Sequence, residues 1–227
     1  MLYIVPTPIG NLKDITLRAL EVLQSCDGII CEDSRRTNIL LQHFKIKKLL
    51  LILNNFNENR QFPIILNRLI SGENLCLVSD AGTPLISDPG YKLVRECLSS
   101  DIQVDSLPGP SSVITALTLS GLPPDKFLFL GYLPEKPGHR KTFLVHLSGG
   151  LAMTPRGITY ILFVAPHKLI RTLGDMKEVF GDIEIVLAIE LTKIHQSVKK
   201  QKISSWLEDF NKKPPKGEFV LLFNLSK

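Results

Sequence analysis

Short apolar runs alternate with amphipathic segments along the first half of the chain. Short apolar runs bounded by turn residues are typical of strands buried on both faces, and apolar residues that recur every three or four positions predict helices. A helix pattern follows each apolar run, and the predicted strands cover residues 2–5, 28–31, 49–53, 75–79 and 102–107. Strict alternation of strands and helices predicts an α/β fold with a parallel, doubly wound sheet that helices cover on both faces.

The pattern changes after Gly121-Leu122-Pro123-Pro124, which predicts a linker between two domains. Residues 1–120 and 121–227 are the expected domains, and each is long enough for a modest core of its own. Beyond the linker, the predicted helices cover only about residues 140–147 and 166–180, whereas the predicted strands cover residues 127–131, 158–164, 184–191, 196–199 and 219–224. Strands outnumber helices in this half, so we expect a C-terminal α+β domain with a mixed sheet.

The composition is that of an ordinary soluble globular protein, with 44% hydrophobic and 22% charged residues. The longest apolar runs, such as residues 158–165, fall far short of the roughly 20 residues that span a bilayer. The chain opens on a strand pattern, and we expect no secretion signal. Its four cysteines lack metal-ligand spacing and its five histidines are scattered, so we expect a reduced, cytoplasmic protein without a metal site.

Charge is distributed unevenly between the two halves. Residues 1–120 carry 11 Lys and Arg against 12 Asp and Glu, whereas residues 121–227 carry 16 against 10. Residues 193–216 alone hold seven lysines and two acidic residues. A basic second half indicates a polyanionic partner, and a lysine-rich solvated face is the alternative that charge alone leaves open.

Five loops follow the predicted strands, and the carboxyl ends of strands are where ligands bind in open α/β sheets. The longest loop, residues 80–90, contains two glycines, which can take backbone conformations closed to other residues, and two prolines, which fix the chain direction. Together with residues 6–12 and 108–112 it allows the close backbone approach that a small cofactor needs. Residues 32–37 and 54–60 offer carboxylates, amides and guanidinium groups, which suit an anionic substrate. Neither GxGxxG nor GxxxxGK(S/T) occurs, so neither a dinucleotide nor a P-loop nucleotide is indicated.

Five motifs occur in an order that is highly specific: PTPIGNLKDITLRALEVL (6–23), EDSRRT (32–37), LVSDAGTPLISDPG (77–90), LPGPSS (107–112) and GLPPDKFLFLGYLP (121–134). On these motifs the chain resembles the tetrapyrrole-methylase superfamily, and more narrowly its branch of bacterial ribosomal RNA methyltransferases. The likeness continues more weakly through residues 166–168, 190–193 and 216–218.

This resemblance implies both an architecture and a reaction. The expected architecture is two α/β domains with the cofactor S-adenosylmethionine folded into the cleft between them. The first domain holds the substrate and part of the cofactor site, the second domain completes the cleft, and the protein is a homodimer. The implied reaction is 2′-O-methylation of the ribose of a cytidine in the decoding region of 16S rRNA, in the small ribosomal subunit.

The resemblance also carries site residues over position by position. The expected cofactor contacts are Pro8, Ile9, Gly10, Gly82, Thr83, Pro84, Ile86, Ser87, Ser111, Ser112, Val113 and Ala116. A carboxylate near the attacking ribose hydroxyl could orient it or take its proton, and Asp33, Asp80 and Asp88 are the candidates, without an order among them. We expect Arg35, Arg36 and Arg60 to bind RNA phosphates. Loop rigidity is the alternative role for the prolines, and a solvent-facing charge pair is the alternative for Arg35 and Arg36.

Three features depart from the family pattern. The run Phe163-Val164-Ala165-Pro166-His167-Lys168 stands where the family usually has aromatic-Glu-Ser-Pro-His-Arg, so Val164 replaces an acidic residue. Residues 148–157 also look irregular against the family. The basic extension of longer members does not follow the last strand, so we expect a lower affinity for RNA or a different mode of docking. Two other functions stay open, namely a methyltransferase that acts on a tetrapyrrole or another small molecule and a non-catalytic RNA-binding relative. The EDSRRT loop and the basic second half favour RNA over a large apolar ring.

Overall fold

The computed structural model describes residues 1–54, 56–149 and 157–225, so most of the irregular stretch predicted over residues 148–157 lies outside the described residues. The chain forms two compact units, Met1–Ser111 and Ser112–Lys227. This division lies one helix earlier than the linker predicted after residue 120. Helix α5 (Ser112–Leu119) is counted with the second unit because it contacts a strand of that unit, β10 (Phe219–Asn224).

A parallel five-stranded sheet forms the centre of the first unit, which confirms the prediction. Its strands are β1 (Leu2–Ile4), β2 (Gly28–Cys31), β3 (Leu49–Ile52), β4 (Leu75–Leu77) and β5 (Val104–Ser106). They lie in the order β3-β2-β4-β1-β5. Leu75 is in register with Leu2 on one side and with Gly28 on the other, so β4 lies between the first two strands of the chain.

Helices cover both faces of this sheet. They are α1 (Leu17–Ser25), α2 (Ser34–His43), α3 (Glu58–Ile70) and α4 (Tyr91–Ser99). Adjacent residues of β2, Ile29 and Ile30, fall in two separate apolar clusters, because successive side chains of a strand point to opposite faces. The side chain of Thr16 accepts a hydrogen bond from the N–H of Ala19 and caps the start of α1. The doubly wound arrangement therefore follows from the apolar pattern of the strands.

The second unit has a mixed five-stranded sheet, as predicted. Its strands are β6 (Phe127–Tyr132), β7 (Thr159–Val164), β8 (Glu184–Ile189), β9 (Ser197–Lys202) and β10, in the order β6-β7-β10-β8-β9. Only β6 and β7 pair in parallel, and the other neighbours are antiparallel. Helices α5, α6 (Pro137–Gly149), α7 (Pro166–Phe180) and α8 (Ile203–Lys212) complete the unit. Among the helices in the described part of the chain, none is long and apolar enough to cross a membrane.

Helix α8 was missed by the sequence prediction, which treated residues 193–216 as a lysine-rich stretch. Its residues Ile203, Trp206 and Phe210 are spaced by three and four positions and are buried in the core of the second unit. That spacing is the amphipathic signal of a helix, but the surrounding lysines concealed it.

Val164, at the family's acidic position, is also buried in the core of the second unit and pairs with Phe219, so its side chain serves packing.

A buried ion pair joins α6 to α7 in the second unit. The side chain of Arg140 is only 4% exposed, and its Nε and Nη2 atoms each lie 2.6 Å from Oδ2 of Asp175. Its Nη1 atom donates to the carbonyl oxygens of Pro134 and Glu135, at 3.3 and 3.0 Å. The guanidinium group therefore holds the entry to α6 against α7 through several directed hydrogen bonds.

We expect Arg140→Met to lower the free energy of unfolding of the second unit by about 3 kcal/mol, because it removes both close hydrogen bonds of the nearly buried Asp175 carboxylate and leaves it the longer pair with Nζ of Lys141, at 3.9 Å. Denaturant unfolding followed by the fluorescence of Trp206, which is buried in the same unit, measures this change. The matched control is Lys200→Met, which breaks the exposed pair of Lys200 with Glu184 and should cost less than about 1 kcal/mol. Equal losses of unfolding free energy in the two variants would show that the Arg140–Asp175 pair stabilises the unit no more than an exposed ion pair does.

Candidate functional site

The loops after β1 and β4 are joined by a reciprocal pair of backbone hydrogen bonds. The N–H of Thr7 donates to the carbonyl of Gly82, and the N–H of Gly82 donates to the carbonyl of Thr7, both at 2.9 Å. The buried hydroxyl of Thr7 also donates to the carbonyl of Ser79 at 3.1 Å. Thr83 Oγ1 donates to the carbonyl of Pro110 at 2.9 Å, which adds the loop after β5. The three loops rich in Gly and Pro thus form one connected structure.

The backbone of residues 82–90 is unusual. Gly82, Leu85, Ser87 and Gly90 all have positive φ, at 84°, 74°, 70° and 116°. For Leu and Ser this conformation is strained, and strained residues cluster at functional sites. The N–H groups of Leu85, Ser87 and Asp88 donate no hydrogen bond within the described part of the chain, whereas Ile86 closes a turn over Pro84 and Leu85. Residues with positive and negative φ alternate here, and free N–H groups on such a backbone can bind anionic oxygen atoms.

Most predicted cofactor residues lie in this loop structure. Pro8, Ile9, Gly82 and Pro84 are buried, Thr83 and Ser111 are half-buried, and Gly10, Ile86 and Ser87 are exposed. A Cβ atom on Gly82 would lie 3.3 Å from Cγ2 of Ile9, so the loops approach closely there. The remaining three residues belong to α5 of the second unit, where Ser112 starts the helix and Val113 and Ala116 are buried.

Carboxylates gather beside the loop structure, at the ends of β2 and β4. The N–H of Asp33 donates to Oδ1 of Asp80 at 3.3 Å, so the EDSRRT loop contacts the loop after β4. Asp33 also caps α2, where its Oδ1 accepts from the N–H of Arg35 at 2.9 Å. Glu32, which is not among the predicted site residues, is half-buried in the same group. Only its place in the EDSRRT motif could have indicated it.

The carboxylates differ in the direction of their pKa shifts. Hydrogen bonds from the Arg35 side chain and backbone lower the pKa of Asp33 to about 2. Burial, reinforced by the charge of Glu32, raises the pKa of Asp88 to about 6. Burial also raises the pKa of Asp80 and of Glu32. Asp88 is therefore the better proton acceptor near neutral pH, while Asp33 stays ionised and paired.

The three predicted RNA-binding arginines differ in their partners. Nη2 of Arg35 lies 2.6 Å from Oδ2 of Asp33, and Nε of Arg36 lies 3.4 Å from Oδ2 of Asp80. Both guanidinium groups are well exposed, so each remains accessible to a further anion. Arg60 lies exposed in the first turn of α3. Among the described residues, no group of three His, Cys, Asp or Glu side chains is arranged to hold a metal ion.

Two of the weaker motif matches meet in the second unit. Oε1 of Glu190 accepts from Nζ of Lys193 at 3.0 Å and from the N–H of Glu218 at 2.8 Å. Gly217 has φ of 95°, and a Cβ atom there would lie 2.7 Å from Cδ of Glu190, so a side chain at this position would be strained and would displace the Glu190 carboxylate. Residues 190–193 and 216–218 therefore form one local cluster that the sequence spacing did not reveal.

The fold and these loops define a class of protein. The sequence profile described as Tetrapyrrole (Corrin/Porphyrin) Methylases matches residues 1–206, and the chain belongs to this family. Two solved structures share the fold: diphthine synthase, with a TM-score of 0.71 and 16% identity over 98% of this chain and 89% of that chain, and uroporphyrin-III-C-methyltransferase from Thermus thermophilus, with a TM-score of 0.64 and 18% identity over 99% and 94%.

Within the family, the chain is similar to proteins named ribosomal RNA small subunit methyltransferase I. The protein from Vibrio cholerae is 48% identical over 98% of this chain and 76% of its own length. The protein from Thermotoga maritima is 44% identical over 98% of this chain and 97% of its own length. The protein from Escherichia coli O157:H7 is 47% identical over 97% and 76%.

We expect the stability of the protein to depend on the titration of Asp88. Because its pKa in the folded protein, about 6, lies above the ordinary 3.8, folding favours the protonated carboxyl. The stability that this group contributes is fully present below about pH 4 and is lost as the pH rises through 6. The wild type should therefore lose stability between pH 4 and 7, whereas Asp88→Asn should not lose this contribution. The difference between their free energies of unfolding should grow in favour of Asp88→Asn over that range, and denaturant titration at each pH measures it.

Glu32→Gln is the matched control for this titration. Removal of the Glu32 charge should lower the pKa of Asp88, because that charge is one cause of its elevation. A constant difference between the wild type and Asp88→Asn from pH 4 to 7 would contradict the assignment.

Proposed function

We propose that this protein is an S-adenosylmethionine-dependent methyltransferase that 2′-O-methylates the ribose of a cytidine in the decoding region of 16S rRNA. The observation that carries the proposal is the 44–48% identity, over nearly the whole chain, with proteins named ribosomal RNA small subunit methyltransferase I. The loop structure at the carboxyl ends of β1, β4 and β5 supports it, because it offers unused N–H groups and close backbone approach to a small polar molecule.

The proposed cofactor contacts divide by chemistry. We propose that Pro8, Ile9, Pro84, Val113 and Ala116 supply apolar contacts, and that Gly10, Gly82, Thr83, Ile86, Ser87, Ser111 and Ser112 supply backbone or hydroxyl groups. The N–H groups of Ser87 and Asp88 suit the cofactor's carboxylate, since they donate to no group within the described residues. When bound, S-adenosylmethionine supplies an electrophilic methyl group on a sulfonium, and the protein then has to orient the acceptor and manage its proton.

The ribose hydroxyl must lose its proton as its oxygen forms the new bond to the methyl carbon. Asp88 is the proposed proton acceptor, because its raised pKa makes it the strongest base of the three predicted aspartates. Asp80 is the second candidate, and it is linked to the EDSRRT loop through the N–H of Asp33. Asp33 is proposed as a positioning residue, because its low pKa and its hydrogen bonds to Arg35 suit it to hold α2 rather than to accept a proton.

The proposal extends to the state of the protein in the cell. We propose a homodimer in the cytoplasm, with Arg35, Arg36 and Arg60 on RNA phosphates. The four cysteines are buried and free, which is consistent with a reducing compartment. Sedimentation velocity measures the oligomeric state directly, and a monomer at micromolar concentration would contradict that part of the proposal.

Methyl transfer to small ribosomal subunits is the experiment that tests the proposed function. The labelled methyl group of S-adenosylmethionine should appear on a single ribose of the decoding region after nuclease mapping. Cofactor binding without label on RNA would direct the search to small-molecule acceptors. Label on bases, or on many nucleotides, would overturn the assignment of a specific ribose methyltransferase.

We expect Gly82→Val to weaken cofactor binding at least tenfold, measured by calorimetry. The position has φ of 84° and a Cβ there would press on Ile9, so a β-branched side chain costs on the order of 1–3 kcal/mol and moves the loops. Gly72→Val is the control, because Gly72 has φ of 93° but nothing within 4 Å of a Cβ. Comparable weakening in both variants would mean that general strain, and not the loop structure, is responsible.

We expect Asp88→Asn to lower kcat for methyl transfer by roughly 100-fold or more, because an amide cannot accept the proton. Its affinity for the cofactor should stay within about twofold of the wild type. Asp33→Asn, which keeps an oxygen to cap α2, should reduce kcat far less. A larger loss in Asp33→Asn than in Asp88→Asn would reverse the two proposed roles.

A further inference from the structure

The loop between β3 and α3 holds an aromatic ring entirely in solvent. Phe56 is 100% exposed, the most exposed large apolar residue described. Oδ1 of Asn54 accepts from the N–H groups of Phe56 and Asn57, both at 3.1 Å. Oδ1 of Asn57 accepts from the N–H of Asn54 at 2.9 Å, and its Nδ2 donates to the carbonyl of Ile52 at 3.0 Å. The two side-chain amides therefore hold the backbone at Asn54, Phe56 and Asn57.

A second exposed aromatic residue lies on the neighbouring helix. Tyr91 is 66% exposed and begins α4, directly after the loop of residues 80–90. The guanidinium carbon of Arg95 lies 5.9 Å from the centre of its ring. Nζ of Lys92 lies 2.7 Å from Oε2 of Glu58, so the first turns of α3 and α4 are tied together. Phe56 and Tyr91 therefore flank adjoining helix starts at the carboxyl edge of the sheet.

The charges around the two rings indicate what they bind. Arg60 and Arg95 supply positive charge on the same two helices, where Lys92 is paired with Glu58 and Glu96 follows Arg95. The carboxylates of Glu32, Asp80 and Asp88 lie in the adjoining loops. Carboxylates repel phosphate groups but not the faces of bases. Aromatic rings interleaved with cations are the platform on which single-stranded nucleic acids stack their bases.

We propose that Phe56 and Tyr91 stack on unpaired bases of the RNA beside the target nucleotide, with Arg60 and Arg95 on its phosphates. This inference rests on the proposed function and adds the mode of recognition, namely an unpaired strand held by base stacking. In an A-form duplex the base faces are stacked on one another and cannot reach these rings, whereas the bases of an unpaired strand can. A strand held by its bases on the rings can then place the 2′-hydroxyl of the target ribose beside the carboxylates.

The direct test uses a reporter at the ring itself. The protein has a single tryptophan, Trp206, which is buried in the second unit, so Phe56→Trp adds an exposed fluorophore. A single-stranded RNA decamer should quench that fluorescence saturably, whereas the same strand in a duplex and inorganic polyphosphate should not. Equal quenching by the duplex or by polyphosphate would overturn base stacking.

Truncation of the rings tests their part in the reaction. Phe56→Ala and Tyr91→Ala should each raise KM for small ribosomal subunits about tenfold, with kcat and cofactor affinity within about twofold. Phe56→Trp should retain the wild-type KM. The controls are Ile70→Ala and Leu98→Ala, which remove exposed apolar side chains at the far ends of α3 and α4 and should leave KM unchanged.

The outcomes separate this inference from the proposed function. Transfer by the wild type with an unchanged KM in both alanine variants would overturn stacking and leave the methyltransferase in place. Absence of transfer by the wild type would overturn the proposed function, and the quenching titration would still decide whether the rings bind unpaired RNA. A loss of self-association in Phe56→Ala would show that a second copy of the chain covers the ring, and would also overturn the inference.

Discussion

The reciprocal hydrogen bonds between Thr7 and Gly82 are the constraint on which the candidate site depends. Parallel strands diverge into separate loops beyond their last paired residues, yet these two bonds keep the loops after β1 and β4 together. Residue 82 has φ of 84°, and a Cβ atom there would lie 3.3 Å from Cγ2 of Ile9. Glycine suits both the backbone conformation and the close approach of the loops. The bond from Thr83 to Pro110 then attaches the loop after β5 to the same structure.

Strand order explains why the site has two chemical halves. In the order β3-β2-β4-β1-β5, the loop after β4 lies between the acidic loop after β2 and the Gly- and Pro-rich loop after β1. One side of it therefore offers backbone groups and small residues, and the other offers carboxylates, arginines and exposed rings. Such a division suits the proposed reaction, in which a small donor meets a much larger acceptor. Asp88, whose pKa is raised to about 6, lies in the loop after β4, between the two sides.

The sequence predicted the parts of the fold that local periodicity controls. Strands such as residues 28–31 and 219–224 were predicted to the residue, because their runs are almost wholly apolar and polar or turn residues flank them. Helix α8 was not predicted, because its three buried residues are embedded among lysines. The sequence predicted the domain boundary after α5, because the Gly- and Pro-rich linker at residues 121–124 is conspicuous in composition. The structure assigns α5 to the second unit through its tertiary contacts with β10, which no local pattern reveals.

What the sequence by itself determined is the family, the two sheets and the loops that carry chemistry, since these depend on residue types and spacing. The tertiary structure decided how those loops act on one another. It brought Asp33 to Asp80, placed the half-buried Asp88 beside Glu32, and tied the starts of α3 and α4 together, where Phe56 and Tyr91 lie exposed. Proton affinity and exposure depend on distances between segments far apart in the chain, and no local pattern encodes those distances.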